Sequence, residues 1–88
     1  MTWKVEFDDR AAKELRKLNP QIQGEILTYL RKRIATAENP RRFGKSLSAG
    51  LGGLWRYRIR DYRLICSISD RDLTVLILRV GHRRNIYS

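Results

Sequence analysis

Leu54-Trp55-Arg56-Tyr57-Arg58-Ile59-Arg60-Asp61-Tyr62-Arg63-Leu64-Ile65-Cys66-Ser67-Ile68 decides the fold. Two alternating apolar and polar runs meet at Arg60-Asp61 and read as an antiparallel β-hairpin. A turn centred there sets Ile59 opposite Tyr62, Arg58 opposite Arg63, Tyr57 opposite Leu64, Arg56 opposite Ile65 and Trp55 opposite Cys66. One face then holds Trp55, Tyr57, Ile59, Tyr62, Leu64, Cys66 and Ile68, an apolar surface that requires a cover. The other holds Arg56, Arg58 and Arg63 around Ile65. Like charges directly opposed destabilise a sheet, so the Arg58 and Arg63 pair admits two readings: a solvated face of a basic chain, or a site for an anion.

Upstream, Trp3-Lys4-Val5-Glu6-Phe7 alternates as a short strand, and Asp8 or Asp9 caps a helix from about Arg10 to Leu18. Asn19-Pro20 starts a second helix, with proline where its missing N–H costs nothing, and the two helices form a hairpin. Ile22, Ile26, Leu27, Leu30 and Ile34 make the apolar stripe of that second helix. Residues 37–45 have turn chemistry, and 46–53 are small and glycine-rich. Gly44-Lys45-Ser46 lacks the upstream glycine spacing of a Walker loop and is discounted as one. Downstream, Ser69-Asp70-Arg71-Asp72 is a turn, and Leu73 to Val80 is apolar on both faces, as in the middle of a sheet, until Gly81 breaks it. The order predicts an α+β fold over residues 1–88 as a single domain: an N-terminal strand, a helical hairpin, then a three-stranded antiparallel meander, in one twisted sheet with helices on one face.

The 88 residues carry 19 Lys and Arg against 9 Asp and Glu, a net charge of +10 that suits polyanionic partners such as nucleic acid or an acidic protein. No stretch is long and apolar enough to span a membrane, and the opening residues lack a signal-peptide core, so a cytoplasmic location is expected. The lone Cys66 sits on the apolar face and reads as a buried small hydrophobe rather than a nucleophile. With one Cys and one His there is no ligand set for a zinc site, and no metal or cofactor is expected.

The strand opening followed by Asp8-Asp9-Arg10-Ala11-Ala12-Lys13-Glu14-Leu15-Arg16-Lys17-Leu18, the hairpin, and the ending Val80-Gly81-His82-Arg83-Arg84-Asn85-Ile86-Tyr87 together resemble the RelE toxins of the RelE/ParE superfamily. The resemblance covers nearly the whole chain. It implies a type II toxin that cleaves messenger RNA in the ribosomal A site, without metal, by attack of a ribose 2′-hydroxyl on the adjacent phosphate. The implied partners are an acidic antitoxin, messenger RNA on the ribosome and ribosomal RNA. By the same resemblance Arg58, Arg63, Arg83 and Tyr87 are catalytic, with His82 a second candidate acid or base; Arg56, Arg60, Lys45 and Arg84 are candidate RNA or phosphate contacts. Family members can have lysine where this chain has Arg56 and Arg58, and arginine does not give up a proton near neutral pH. Tyr87 is open between proton transfer, base stacking and packing. The alternative function on the same scaffold is a ParE-like inhibitor of DNA gyrase without nuclease chemistry. A plain basic RNA-binding domain would explain the charge but not the opposed arginines or the tyrosine ending.

Overall fold

In the computed structural model, which describes residues 1–47 and 53–86, the hairpin forms in the expected register, from Leu54 opposite Ser67 to Ile59 opposite Tyr62. The fold is α+β, with one mixed sheet and three helices. Strand β1 spans Lys4–Phe7 and helix α1 Asp9–Arg16, two residues shorter at its end than expected. Asp8 is its cap, accepting from Ala11 N at 2.8 Å. Helix α2 spans Pro20–Tyr29, capped by Asn19 through Gln21 N at 2.7 Å, and continues as a π turn over Leu30–Ile34. Ile26, Leu30 and Ile34 are buried at four-residue steps, but Leu27 is 47% exposed: one residue on from Ile26, it is rotated about 100° off the stripe.

The segment read as a plain turn folds into a short 3-10 turn, Pro40–Phe43, and then strand β2, Lys45–Ser46, which pairs with strand β3, Leu54–Ile59. The glycine-rich residues 48–52 lie outside the described residues. Strand β4 spans Tyr62–Ser69 and strand β5 Thr74–His82; the sheet order is β1-β5-β4-β3-β2, with β1 parallel to β5 and the other pairs antiparallel. The last strand is therefore interior, while β4 is central.

Gly81 does not break β5. It pairs with Arg63, and His82 continues the ladder opposite Tyr62. A Cβ at Gly81 would lie 3.3 Å from Ile86 Cδ1, so the missing side chain makes room for the last helical turn, α3, Arg83–Ile86. A bulge between Ile65 and Cys66 sets Ile65 opposite Arg79 but Cys66 opposite Ile77. The core gathers Trp3, Ala11, Leu15, Ile26, Leu30 and Ile34 against Tyr57, Leu64, Cys66, Val75 and Ile77, which places α1 and α2 on the apolar face of the hairpin. Beyond Ile77 the edge of β5 is closed by α1, because Glu14 Oε1 accepts from Val80 N at 2.9 Å and from Arg79.

Candidate functional site

Cross-strand neighbours share a face. The register therefore lines up Lys45, Arg56 and Ile65 in one row on the face away from α1 and α2, and Arg58, Arg63 and Gly81 in the next. Lys45 and Arg58 are exposed, Arg56 is half-buried, and Arg63 is only 7% exposed. A cleft of about 220 Å³ opens between β2 and β3, lined by Phe43, Gly44, Lys45, Arg56 and Arg58. Gly44 sets its depth: a Cβ there would come within 3.1 Å of the Arg56 carbonyl and of the Tyr57 ring.

Five carboxylates are engaged elsewhere. Glu14 holds Arg79, Glu25 holds Arg60, Glu38 holds Arg42, Asp61 lies 3.8 Å from Arg83, and Asp70 takes both terminal nitrogens of Arg41. None of the ion pairs among the described residues includes Lys45, Arg56 or Arg58. Arg56 Nε is buried with no hydrogen-bond partner among the described residues, an arrangement that costs free energy unless an acceptor arrives. Arg63 is anchored differently, with Nη1 donating to the carbonyls of Arg60 at 3.1 Å and Tyr62 at 3.0 Å. The face thus combines one anchored guanidinium, Arg63, with two that have no carboxylate partner among the described residues, Arg56 and Arg58, a donor set suited to phosphate oxygens.

The other expected site residues are distributed around this face. Arg60, in the left-handed conformation at the hairpin turn, is directed to Glu25 on α2. Arg83 N donates to the Asp61 carbonyl at 2.7 Å, which ties the start of α3 to the hairpin tip. His82 shares the face of Tyr62, with the rings edge to face at 5.5 Å, and its Nδ1 accepts from Arg84 N at 3.2 Å. The sheet register therefore separates the imidazole from Arg58 and Arg63. The exposed Arg84 is on α3, and Tyr87 lies outside the described residues.

Burial pushes the Cys66 thiol up to about 12, as fits a packed hydrophobe rather than a nucleophile. The Tyr57 phenol, donating to the Pro40 carbonyl at 2.8 Å, is likewise raised by burial. Sequence reasoning missed Phe43, the wall of the cleft; its signal was the basic and aromatic run Arg41-Arg42-Phe43 immediately before Gly44.

The mixed sheet backed by two helices is the fold of solved RelE toxin structures, which places this chain among the small toxins of type II toxin–antitoxin systems. The family model described as the ParE toxin of the type II toxin–antitoxin system parDE matches residues 5–87, and the chain belongs to the RelE/ParE toxin superfamily. It is 37% identical over 87 residues to the toxin RelG of Mycobacterium tuberculosis, covering 99% of this chain and 98% of that one. It is 29% identical to the mRNA interferase toxin RelE of Escherichia coli, covering 100% and 93%. Among solved structures, the toxin–antitoxin complex RelBE2 of M. tuberculosis superposes with a TM-score of 0.85 at 35% identity, covering 94% of this chain and 100% of that one. A mutant of E. coli RelE in the free state superposes at 0.77 with 27% identity, covering 98% and 88%.

Proposed function

We propose that residues 1–88 act as a single toxin domain that cleaves messenger RNA in the ribosomal A site, in the cytoplasm, and so stops translation. The observation that carries this reading is the group of Lys45, Arg56 and Arg58 lining one cleft without a carboxylate partner among the described residues, together with the buried, unpartnered Nε of Arg56. The name of the E. coli relative, an mRNA interferase, supports it.

In the proposed reaction the 2′-oxygen bonds to the adjacent phosphorus, the bond to the 5′-oxygen breaks, and the 2′ proton leaves to a base while the leaving oxygen gains one. Arg58 and Arg63 hold the non-bridging oxygens, Arg56 and Lys45 the neighbouring backbone, and Arg83 the charge on the leaving group. Arginines supply no base, so proton transfer is assigned to Tyr87, which follows the anchored Ile86 directly. In this assignment the bound phenol works beside the site's arginines, and cations favour a phenolate. His82 is assigned to holding the start of α3, and Arg84 and Arg60 to peripheral RNA contacts. The proposed reaction assigns no role to a metal.

The proposed partner is an acidic antitoxin, in line with the M. tuberculosis structure solved as a toxin–antitoxin complex. Its docking surface is the apolar groove of about 480 Å³ between edge strand β1 and α2, which includes Trp3, Val5, Phe7, Leu27 and Leu30 and is flanked by Lys4 and Arg31.

Primer extension on messages after induction tests the reading. In-frame cuts that vanish in Arg58→Ala and fall sharply in Tyr87→Phe are expected. Intact messages with DNA damage would instead favour gyrase inhibition, a reading supported by the ParE description of the matching family model.

A further inference from the structure

Three guanidinium groups lie over aromatic rings along one strip outside the cleft. Arg33 Cζ is 5.9 Å from the Tyr29 centroid and 5.3 Å from that of Phe43, and Arg42 Cζ is 4.4 Å from Phe43. Arg41 lies 5.8 Å from Trp55, but its charge is already paired with Asp70 through both terminal nitrogens. Local structure explains the strip. The π turn, closed by Ala35 N donating to Leu30 O at 2.8 Å, presents Lys32 and Arg33 to solvent, and the 3-10 turn brings Phe43 beneath them.

Two features give the strip a direction. Phe43 also walls the arginine cleft, and it is two residues from Lys45, so their Cα atoms are within about 7 Å. At the far end the strip opens into a trough of about 490 Å³ whose lining includes Thr28, Tyr29, Lys32 and Arg33. None of the ion pairs among the described residues takes Arg33 or Lys32, and the pair of Arg42 with Glu38 is a surface contact that a phosphate can replace.

We propose that Phe43, Arg42, Arg33 and Lys32 form a second RNA subsite, which takes the single-stranded segment flanking the cut and stacks its bases on the guanidinium planes of Arg33 and Arg42. The proposal rests on the assignment of the cleft to the cut site. A guanidinium held close to an aromatic ring is pre-positioned to offer a planar face to a base while its edge binds phosphate. An acidic peptide would use only the charge, so aromatic support of this kind favours a single strand.

The test is fluorescence anisotropy with a labelled trinucleotide and a labelled nonanucleotide of the same centre, each 2′-O-methylated at the central ribose to prevent cleavage. The native protein should bind the longer RNA at least tenfold more tightly. The double variant Arg33→Ala, Arg42→Ala should lose at least tenfold on the nonanucleotide, since one stacked base alone is worth about that, and nothing on the trinucleotide. Its log–log salt dependence should be shallower by about 1.4, for two phosphates on a single strand. Arg33→Lys should keep the salt slope and still lose affinity.

Equal affinity for both lengths, or equal losses on both, overturns the subsite. So does competition by an oligoglutamate peptide as effective as the longer RNA. If Arg56→Ala and Arg58→Ala leave trinucleotide binding intact, the cleft assignment fails, while the length-dependent loss on the strip is still read independently.

Discussion

Arg58 and Arg63 are direct partners across β3 and β4, yet Arg58 is exposed whereas Arg63 is 7% exposed and donates to the carbonyls of Arg60 and Tyr62. The same charge therefore has two environments on one row. Arg58→Ala should change stability by less than about 0.5 kcal/mol, as for a surface residue. Arg63→Ala removes charge-assisted hydrogen bonds and should cost about 1.5 to 3 kcal/mol, a fall in Tm of at least ~6 °C for a domain of this size. Both should lower cleavage by about two to three orders of magnitude, as when one transition-state donor is lost. Paired thermal melts and single-turnover assays separate these effects; an Arg58→Ala variant that cleaves normally would remove that residue from the site.

Arg56→Met keeps the apolar stem and removes the unpartnered Nε. Stability should hold or rise by up to about 1 kcal/mol, because a buried donor without an acceptor is replaced by a group that needs none. RNA affinity should fall at the same time. A variant that both loses stability and keeps RNA affinity would show that Arg56 is architectural.

Gly81→Val places a branched side chain where Ile86 now packs, 3.3 Å from the would-be Cβ. Valine favours a strand, so the melt should change little, while α3 is displaced along with the adjoining Tyr87. Cleavage at least tenfold lower with the native melting curve is expected. Gly81→Ala, which meets only the flexible end of Ile86, should lie between the two.

Cys66 governs an alkaline limit. Its thiol is up at about 12 when folded, against 9.0 as the ordinary value, so the unfolded chain releases this proton first. The stabilisation is complete below pH 9 and is lost as pH rises from there towards 12, by up to about 4 kcal/mol. Denaturant titrations across that window should show the decline, and Cys66→Val should remove the part that begins near pH 9, leaving the part above pH 10 that belongs to the buried phenols of Tyr57 and Tyr29. Iodoacetamide should label the native thiol far more slowly than the unfolded one at pH 8. Equal rates would contradict its burial.

Some of this molecule is decided by short-range physics and is legible in the chain. The two-residue period around Arg60-Asp61 sets the hairpin register, because any shift by one residue would move Tyr57, Leu64 and Cys66 to the wrong face. Asp8 and Asn19 set the helix starts, since a cap acts on N–H groups only two or three residues away.

Other features depend on partners brought from far along the chain. Gly81 reads as a breaker, but Arg63 pairs with it and Ile86 fills its space, so β5 runs through. Leu27 belongs to the helical stripe by spacing and is left at an open groove by the rotation of α2 against the sheet. Most of all, sequence shows many arginines but not which are neutralised. Glu25 reaches Arg60 across 35 positions and Glu14 reaches Arg79 across 65, and only these long-range pairings leave Arg56 and Arg58 as donors without a carboxylate. Charge is a property of the residue, whereas its availability to a phosphate is decided by the tertiary fold.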